Sequence, residues 1–596
     1  MRNRRSLEKA KDFKGTLKKL YGYLKQYKVA LIIVIIFAIA STIFSILCPK
    51  ILGDATTELF NGLISKINGA GGINFDKIAG ILLTLLGLYV LSAIFSYIQG
   101  FVMSGITQKL TYKLRQELSL KIGKLPMKYF DKKTHGEVLS VITNDVDTLS
   151  QSLNQSAIQF LTAIVTLIGI LVMMISISIP MTILAVLILP LSAFLIMLVV
   201  KKSQKYFRKQ QEYLGHVNGK VEEMYSGHTV IKAFNAEEKM LDSFNKDNDV
   251  LCDSALKSQF LSGLMHPIMN FIGNLGYVLV AIVGGYLAIN NKITVGNIQS
   301  FIQYMRQFTQ PVGQIAQVSN MLQSMMAAAE RIFNFLEEEE EEVIISNLTT
   351  DKITGNVTFD HVKFGYDEQI IINDFNCNVK AGQKIAIVGP TGAGKTTMVK
   401  LLMRFYNVND GQILIDDLNI NDFDRDNLRK LFGMVLQDTW LFNGTIMENI
   451  RYGRLDATDD EVIEAAKKAD VHHFIQTLPG GYNMVLNEDA NNISQGQKQL
   501  LTIARAILSN PKILILDEAT SSVDTRTEVL IGKAMDELMK GRTTFVIAHR
   551  LSTIKDADLI LVMDKGDIVE VGNHDELLNK KGFYAKLYNS QFEQIG

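Results

Sequence analysis

The chain has 596 residues with 61 basic and 61 acidic side chains, so its formal net charge is zero. This balance gives no support to a nucleic-acid partner, and the length predicts at least two domains. Cys48, Cys252 and Cys377 lack paired or metal-type spacing, which indicates reduced thiols. The mean hydropathy is +0.15 although 20% of the residues are charged, so apolar and charged residues are expected in different parts of the chain.

Residues 1–28 are basic and precede the first long apolar run. Within Gly15–Lys28, apolar residues recur at helical spacing among lysines, which is typical of a helix lying at a membrane interface. A solvated helix is the alternative. The apolar run that follows is too long for a signal peptide and has no small-x-small cleavage site. Residues 1–28 are therefore predicted to be a cytoplasmic segment with an amphipathic elbow helix.

Residues 29–325 contain six apolar stretches of the length that a bilayer-spanning helix needs, about 20 residues. They are Val29–Cys48, Ile78–Met103, Ala157–Ser178, Met181–Val200, Leu261–Ala288 and Val295–Val318. Lys and Arg concentrate in the N-terminal segment and in the connections 104–156 and 201–260, whereas the loops 49–77 and 289–294 carry few. The positive-inside rule therefore places the N-terminus, both long connections and the C-terminal domain in the cytoplasm.

The two long connections have helical periodicity with few breakers, so the membrane helices are expected to continue past the bilayer. Each connection has one polar break, near Tyr129–Gly136 and near Val221–Gly227. Such a break either docks onto another domain or is a plain turn between helices.

Polar residues lie on one face of the sixth predicted span. Glutamines recur at steps of three and four residues beside an arginine: Gln303, Arg306, Gln307, Gln310, Gln314 and Gln317. Because such side chains cannot face lipid cheaply, we expect Gln303, Arg306, Gln307 and Gln310 to line a water-accessible cavity for a substrate. Hydrogen bonding between helices is the alternative.

Residues 326–342 read as a linker, a helical stretch that ends in six acidic residues, Glu337–Glu342. A run of like charges repels itself, which predicts a solvated segment. The second domain is then residues 343–596.

This second domain contains a phosphate-binding loop. The short strand Lys384–Val388 is followed by a G-x-x-x-x-G-K-T sequence and a helix-forming stretch, the strand–loop–helix setting that this motif requires. Its backbone N–H groups and helix N-terminus favour phosphate. The predicted ATP-binding residues are Gly389, Pro390, Thr391, Gly392, Ala393, Gly394, Lys395, Thr396 and Thr397, with the Lys395 ammonium on the β- and γ-phosphates and the Thr396 hydroxyl on Mg²⁺.

A buried strand, Lys512–Leu516, ends in Asp517 and Glu518. Asp517 is predicted to hold Mg²⁺, and Glu518 to polarise the attacking water. A plain helix N-terminus is the alternative, since acids are favoured there. Upstream, Ser494 and Gln497 fit a capping box at the start of a helix, where a serine hydroxyl can also bind phosphate.

Together with His549 at the end of the strand Thr543–Ala548, these motifs resemble those of the ATP-binding-cassette (ABC) proteins. The order of the halves, membrane part then cassette, is similar to the type IV exporter branch. The resemblance implies a multidomain fold, an all-α six-helix transmembrane domain followed by an α/β P-loop nucleotide-binding domain. It also implies an ATPase coupled to transport that uses ATP and Mg²⁺.

The resemblance implies further site residues. Tyr366 corresponds to the aromatic that stacks on adenine, Gln437 to the glutamine that contacts Mg²⁺ and the attacking water, and His549 to the histidine on the γ-phosphate. Glu518 would be the catalytic base. Glu488 corresponds to the glutamate that couples to the membrane domain, and Asp524 to the loop that crosses to a second cassette. The two polar breaks then resemble coupling helices.

In this family two cassettes close face to face, so that the signature of one completes the ATP site of the other. The usual signature Leu-Ser-Gly-Gly-Gln is Ile493-Ser494-Gln495-Gly496-Gln497 here, with a side chain where glycine allows the closest approach. This departure favours a heterodimer in which Ser494, Gln495, Gly496 and Gln497 complete a weakened site. A homodimer with two equal sites is the alternative.

The resulting prediction is one half of a dimeric exporter in the cytoplasmic membrane that moves an amphipathic drug-like compound or a lipid. The expected partners are a second half-transporter, membrane lipid and the substrate, with no nucleic acid. A peptide-processing exporter, an importer and a DNA-repair ATPase fit the sequence less well, and an ATP-gated channel or sensor stays an alternative. The Lys-, Ile- and Asn-rich composition favours a bacterial source.

Overall fold

The computed structural model describes residues 10–69, 71–344, 346, 348, 350, 352–367, 369–436, 439–487, 492–517, 524–547 and 551–592. Contacts divide the chain into two compact units. The helical unit comprises Met1–Gly123 and His135–Glu338, and the α/β unit comprises Lys124–Thr134 and Glu339–Gly596. The predicted domain boundaries at residues 28, 325 and 342 stay predictions.

Of the first eleven helices among the described residues, all belong to the helical unit except α4, which belongs to the α/β unit. They are α1 (Phe13–Leu24), α2 (Lys28–Ile67), α3 (Phe75–Ile122), α4 (Met127–Lys132), α5 (His135–Ser140), α6 (Val146–Ile177), α7 (Ile179–Ser226), α8 (His228–Ala233), α9 (Glu237–Gly263), α10 (Met265–Ile289) and α11 (Val295–Glu337).

The six predicted spans fall in α2, α3, α6, α7, α10 and α11. Among the described residues, four helical stretches are long and apolar enough to cross a membrane: Phe13–Ile67, Phe75–Ile122, His135–Ile177 and Glu237–Ile289. In α7 the corresponding apolar segment is shorter, Ile179–Ile188. The helix α11, which carries the polar glutamine stripe, is not among these four stretches.

The helices continue well past the predicted spans, as expected. α3 has 48 residues, so it is about 72 Å long at 1.5 Å per residue. The breaks between helices differ slightly from the prediction. The chain leaves the helical conformation at Ser178, with φ −163° and ψ 119°, and Pro180 lies in the first turn of α7, where its missing N–H is harmless. The second polar break, predicted near Val221–Gly227, is found at Gly227 between α7 and α8. A further break, residues 234–236, follows α8.

A buried ion pair joins α11 to the start of α6. Residues Val141–Asp145 form a π-helical turn, and the Asp145 side chain at its end is 2% exposed. Arg331 donates to both carboxylate oxygens, from Nε at 2.8 Å and from Nη2 at 2.7 Å. Because this bidentate pair neutralises a buried acid, removal of either partner would leave an uncompensated buried charge.

The described residues of the α/β unit form twelve strands. They are β1 (Val357–Tyr366), β2 (Gln369–Val379), β3 (Lys384–Val388), β4 (Asp410–Ile415), β5 (Leu418–Asn419), β6 (Phe432–Val435), β7 (Gly444–Thr445), β8 (Val485–Leu486), β9 (Ile513–Asp517), β10 (Thr543–Ile547), β11 (Leu559–Asp564) and β12 (Asp567–Gly572).

Ten further helices lie in the described part of this unit. They are α12 (Lys395–Leu402), α13 (Arg425–Lys430), α14 (Ile446–Arg451), α15 (Asp459–Lys468), α16 (His472–Thr477), α17 (Gln495–Ser509), α18 (Thr525–Met539), α19 (Leu551–Lys555), α20 (His574–Asn579) and α21 (Phe583–Phe592).

The central sheet has six strands in the order β12-β11-β3-β10-β9-β6, and a second sheet has the order β2-β1-β4-β5. All neighbours in the central sheet are parallel except the edge pair β11–β12. Alternate residues of a strand face opposite sides of the sheet, so side chains of the central sheet pack into two hydrophobic cores, one on each face. In β9, Leu514 and Leu516 pack with α17, whereas Ile513 and Ile515 pack toward the β2-β1-β4-β5 side. Continuous apolar strands are typical of such a doubly covered sheet.

The acidic run Glu337–Glu342 is partly ion-paired rather than simply solvated. In the helical unit Lys19 binds Glu337 at 2.6 Å. In the α/β unit Glu341 lies 3.3 Å from Arg429 and 3.7 Å from Arg425, and its side chain is 20% exposed. The expectation of a fully solvated run is therefore wrong at Glu341, because its partners lie far along the chain, where a local charge pattern gives no sign of them.

Candidate functional site

The phosphate loop, residues 389–394, joins the carboxyl end of β3 to the amino end of α12. Gly392 and Gly394 have φ values of +84° and +101°, a left-handed conformation in which a side chain would be strained. Gly394 is the N-cap of α12, and because glycine has no side chain it cannot cap the helix through one. The first backbone N–H groups of α12 can therefore be offered to an anion.

The Lys395 ammonium lies within this loop. Its Nζ donates to the carbonyl oxygens of Gly389 at 2.6 Å and Pro390 at 3.0 Å. Burial lowers the pKa of Lys395 below its ordinary value, and the negative charge of Asp517 partly offsets that shift. The positive charge of Lys395 therefore lies at the N-terminus of α12, an arrangement that favours the binding of phosphate.

Asp517 ends β9 at the same edge of the central sheet. In the parallel register Ile547 of β10 pairs with Ile387 of β3 on one side and with Asp517 on the other. Since neighbouring strands are about 4.8 Å apart, Asp517 lies two strands, roughly 10 Å, from the strand that enters the phosphate loop. The structure therefore brings Lys395 and Asp517 to one edge, as the sequence predicted.

A cavity of about 670 Å³ lies beside Tyr366, at the end of β1. The Tyr366 and Tyr406 rings are nearly perpendicular with centroids 5.0 Å apart, and Lys400 Nζ lies 5.9 Å from the Tyr366 centroid. Another wall comes from α4, through Lys128, Asp131 and Lys132. The predicted adenine-stacking residue thus borders a space walled by aromatic and charged side chains.

Hydrogen bonds fasten α4 within the α/β unit. Asp131 accepts from Lys400 Nζ at 3.1 Å and from the Tyr406 hydroxyl. Burial alone would raise the pKa of Asp131, but the hydrogen bonds from Tyr406 and Lys400 lower it overall. Asp367 accepts from Lys132 at 2.9 Å and Lys128 at 3.1 Å. The first polar break therefore belongs to the unit that contains the phosphate loop.

Among the residues in this cavity wall, only Tyr366 was predicted as a site residue. Asp131, Lys400 and Tyr406, which are joined by hydrogen bonds, are three that were missed. Lys400 lies on α12, five residues after Lys395. Its position on the helix that follows the phosphate loop is the sequence feature that could have indicated a site residue. Asp131 lies in the polar break Tyr129–Gly136, which was predicted either to dock onto another domain or to be a plain turn, but no local pattern indicated which residues it would contact.

The signature segment begins α17 with the predicted capping box. Ser494 Oγ accepts from the Gln497 backbone N–H, and Gln497 Oε1 accepts from the Ser494 backbone N–H. Gln495 Nε2 donates to Thr439 Oγ1 at 3.0 Å. The side chain that distinguishes this signature is therefore anchored to its own cassette, and Gly496 beside it is buried.

Of the remaining predicted site residues in the cassette, one lies at a helix N-terminus and four lie outside the described residues. Asp524 is the N-cap of α18, where its carboxylate accepts from the Thr527 backbone N–H. That hydrogen bond lowers the pKa of Asp524. Gln437, Glu488, Glu518 and His549 lie outside the described residues, and their roles stay predictions.

In the helical unit, a cavity of about 550 Å³ lies among α7, α10 and α11. Arg306 and Gln310 line it, together with Asn270, Asn274 and Tyr277 of α10. The Arg306 guanidinium lies 5.9 Å from the Tyr277 ring centroid, within the range of a cation–π contact. Gln303 and Gln307 are not among the lining residues. The proposed substrate role of all four stays a prediction.

Comparisons with known proteins agree with this geometry. Residues 31–312 match the family model of the ABC transporter transmembrane region, and residues 372–521 match the ABC transporter model. The chain is 44% identical over 588 residues to the uncharacterized ABC transporter ATP-binding protein YfiC of Bacillus subtilis, with 98% of this chain and 96% of the relative covered. The chain belongs to the ABC transporter family.

Two further similarities extend over nearly the whole length. This ABC transporter is 44% identical over 615 residues to a fatty acid ABC transporter ATP-binding/permease protein of Mycobacterium bovis, with 97% of each chain covered. It is also similar to the solved structure of a bacterial Atm1-family ABC exporter with ATP bound. That match has a TM-score of 0.71 and 29% identity, and covers 96% of this chain and 98% of the other.

Family membership confirms the predicted fold class and the predicted enzyme type, an ATPase coupled to transport. The protein is a multi-pass membrane protein whose ATP-binding domain is cytoplasmic. With one membrane domain and one ATP-binding domain in a chain, it is a half-transporter of the exporter type that works as a dimer.

Proposed function

We propose that this ABC transporter uses ATP hydrolysis to export an amphipathic substrate, a drug-like compound or a lipid, by alternating access. The observation that carries the proposal is the presence of two sites in one chain. The α/β unit has a phosphate loop with Lys395 inside it, and the helical unit has a cavity that Arg306 lines.

The donor set around the phosphate loop fits Mg²⁺ and ATP. Thr396 and Asp517 offer hydroxyl and carboxylate oxygens, the hard ligands that Mg²⁺ prefers alongside phosphate oxygens. We assign Lys395 and the loop N–H groups to the phosphates, Thr396, Asp517 and Gln437 to Mg²⁺, and Tyr366 to the adenine ring. Bound Mg²⁺ would neutralise charge that develops on the phosphates.

Hydrolysis then needs a base and a second phosphate contact. We assign Glu518 to polarise the attacking water and His549 to contact the γ-phosphate, as the family resemblance implies. Asp524 and Glu488 would connect each cassette to the partner cassette and to the membrane domain.

The position of Arg306 favours the assignment of an amphipathic substrate with an acidic end. It lies about 16 Å along α11 from Val295 at 1.5 Å per residue, roughly half of a hydrocarbon core of about 30 Å. A cation at that depth is expensive unless it faces a partner or a water-filled space. The Mycobacterium bovis relative has fatty acid in its description, and a fatty acid carries the carboxylate that Arg306 would pair with.

Transport into inverted membrane vesicles tests this assignment. Uptake of a labelled fatty acid is expected to stop in Glu518→Gln and to fall several-fold in Arg306→Gln, with partial recovery in Arg306→Lys. Arg115→Gln is the matched control, because Arg115 forms an exposed ion pair with Asp147 outside the cavity. Unchanged uptake in Arg306→Gln would remove the arginine from the substrate site.

We propose that the working dimer is a heterodimer whose weaker ATP site is completed by this signature. Support comes from Gln495, whose anchored side chain occupies a position where the usual glycine leaves the backbone open to phosphate. The other site would use Lys395, Asp517 and Glu518 with the partner's signature. In the homodimer alternative, the Thr439 anchor would hold Gln495 clear of ATP.

Expression of this chain alone in lipid nanodiscs separates the alternatives. A stable chain that hydrolyses Mg-ATP only after addition of a second half-transporter, and only with Glu518 intact, would support the heterodimer. Hydrolysis by the chain alone that is lost in Glu518→Gln would establish a working homodimer instead.

A further inference from the structure

Arg505 on α17 contacts two other segments of the cassette. Its guanidinium Nη1 donates to the Trp440 carbonyl oxygen at 3.1 Å, and its Nε donates to the Asn449 carbonyl oxygen at 2.9 Å. Nη2 donates to Asn449 Oδ1 at 3.3 Å. The guanidinium carbon also lies 5.8 Å from the ring centroid of Phe442 and 5.5 Å from that of Tyr452. One side chain of the signature helix therefore joins the chain that follows β6 to α14.

The acceptors of Arg505 explain why this position carries an arginine. Within the residues that the structure describes, they are two backbone carbonyls and one carboxamide oxygen, with no carboxylate among them. Burial lowers the pKa of Arg505, because a charge taken out of water without an acid beside it is costly. An apolar side chain would fill the same space without that cost. Arginine adds a planar fork of N–H donors that holds two acceptors in one fixed geometry.

Asn449 continues the same network on the other side of the segment. It is 2% exposed. Its Oδ1 accepts from the Phe442 backbone N–H at 2.8 Å, and its Nδ2 donates to the carbonyl oxygens of Phe442 at 2.9 Å and Thr445 at 3.1 Å. A buried polar network whose members are all satisfied is rigid. Residues 440–442 are therefore held to α14 and α17 by side-chain hydrogen bonds.

A second hydrogen bond joins this segment to α17. Gln495 Nε2 donates to the hydroxyl of Thr439, the residue before Trp440. Gln495 is the first residue of α17, and Arg505 lies about 15 Å further along the helix at 1.5 Å per residue. Two consecutive residues thus reach α17 at widely separated points, so the segment cannot turn about a single contact.

We propose that Arg505 is a positioning residue for ATP hydrolysis, which fixes the segment that follows Gln437 to the signature helix. Gln437 is three residues before Trp440 and is assigned above to Mg²⁺ at this chain's own ATP. Ser494 at the start of α17 is assigned to the ATP of the partner cassette. Arg505 therefore links the contacts that one chain makes with two ATP molecules. The inference rests on these two assignments of the proposed function.

The expected consequence concerns the rate of hydrolysis more than the binding of ATP. The phosphate loop binds ATP from β3 and α12, and none of the acceptors of Arg505 lies on these elements. ATP affinity should therefore be nearly independent of Arg505. A small displacement of the group that orients the attacking water, by contrast, lowers kcat.

Arg505→Met in the complete dimer tests the proposal, because methionine keeps an unbranched side chain but donates no hydrogen bond. The kcat for Mg-ATP should fall about tenfold while KM changes less than about twofold. Arg505→Lys, which can still donate to one carbonyl, should stay within about threefold of the wild-type kcat. Arg542→Met is the matched control, since Arg542 is equally half-buried and donates to the Leu538 carbonyl and to Asn510 Oδ1. An unchanged kcat in Arg505→Met would overturn the proposal.

A double-mutant cycle shows whether Arg505 acts through Gln437. The double variant Gln437→Ala, Arg505→Met should be no slower than Gln437→Ala alone, because an interaction that is already lost cannot be lost again. If the two losses multiply, the proposal is wrong although Gln437 keeps its assigned role. Normal hydrolysis by Gln437→Ala would instead remove the assignment of Gln437, and this inference with it.

The emission of Trp440 separates positioning from plain stabilisation. Trp440 is the only tryptophan in the chain, so its fluorescence anisotropy in this chain alone reports on the segment that Arg505 holds. Nanosecond depolarisation should increase about twofold in Arg505→Met, at a temperature where the variant is folded. A lower Tm with unchanged depolarisation would show that Arg505 has a structural role only. If Arg505→Met does not fold, Arg505→Lys decides: a lower kcat at normal KM supports positioning, and an unchanged kcat overturns it.

Discussion

Two helix N-termini in the same cassette are both predicted to bind phosphate, yet they are built differently. The N-cap of α12 is Gly394, which has φ +101° and no side chain, and the first turn of α12 carries the Lys395 ammonium. The N-cap of α17 is Ser494, whose capping box with Gln497 satisfies N–H groups there, and residues 494–497 carry no charge.

The difference indicates when each end acts. An uncapped helix end with a cation favours an anion within a single chain. A capped end is already satisfied and needs no ligand to be stable, so we expect it to contribute only when a partner cassette presents its phosphates. The Ser494 hydroxyl, which accepts a hydrogen bond in the capping box, keeps its own O–H to donate. The following predictions test this division.

The largest effect is expected at the α12 end. Lys395→Ala removes the only cation in the phosphate loop, residues 389–395, and should lower Mg-ATP hydrolysis by about 100-fold or more, as loss of a preorganised charge contact does. Lys467→Ala is the control, because Lys467 is paired with Glu464 on the exposed surface of α15. A Lys395→Ala protein with near-normal hydrolysis would contradict the assignment of this loop.

At the α17 end, Ser494→Ala should lower hydrolysis by the complete dimer about tenfold, equivalent to about 1.4 kcal/mol, because ATP bound at the weaker site would still be needed to close the two cassettes around the competent one. Its matched control is Thr458→Ala, because Thr458 forms the same capping box with Glu461 at the start of α15. Both changes should cost about 1 kcal/mol of stability through loss of a cap. If both variants lost hydrolysis equally, Ser494 would have a capping role only.

Restoring the usual signature should have a smaller effect. Gln495→Gly is expected to raise hydrolysis by the complete dimer about threefold, less than 1.4 kcal/mol of transition-state stabilisation, because the weaker site gains closer backbone contact. Thr439→Val, which removes the anchor of Gln495 but keeps the side chain, should not produce this gain. A decrease in Gln495→Gly would favour two equal sites that depend on glutamine.

The smallest effect concerns pH. Burial lowers the pKa of Lys395, so the ammonium is lost at a lower pH than in an exposed lysine, and ATP affinity should fall about twofold as pH rises from 7 toward 9.5. Lys395→Arg should stay flat, because a guanidinium keeps its proton above pH 12. The binding of a fluorescent ATP analogue measures both. A decline of the same size in Lys395→Arg would point to another titrating group.

Local motifs made much of the cassette predictable. The phosphate loop requires a strand before it and a helix after it. β3 lies where Lys384–Val388 was expected, and α12 begins two residues before the expected helical stretch Thr397–Leu402. The capping box of Ser494 and Gln497 was equally local. The acid at the end of β9 followed from a buried apolar strand, because carboxyl ends of parallel strands meet at one edge.

Contacts between distant segments could not be predicted. Nothing near Asp131 indicates that it will meet Lys400 and Tyr406, and nothing near Glu341 indicates Arg425 and Arg429. Nothing in the sequence indicates that Gln99 lies beside Asn154, Gln155 and Gln159, because only the packing of α2, α3 and α6 brings these residues to one cavity.

The grouping of Lys124–Thr134 with the ATP-binding half has a practical consequence for fragments. A soluble piece cut at the predicted boundary, residues 343–596, would retain Tyr366 and Tyr406 but lose α4, which supplies one wall of the neighbouring cavity. The compact unit that contains the phosphate loop is therefore discontinuous in sequence, with its two parts about 200 residues apart in the chain. Grafting α4 onto the fragment through a linker should recover native nucleotide affinity better than any extension of either terminus.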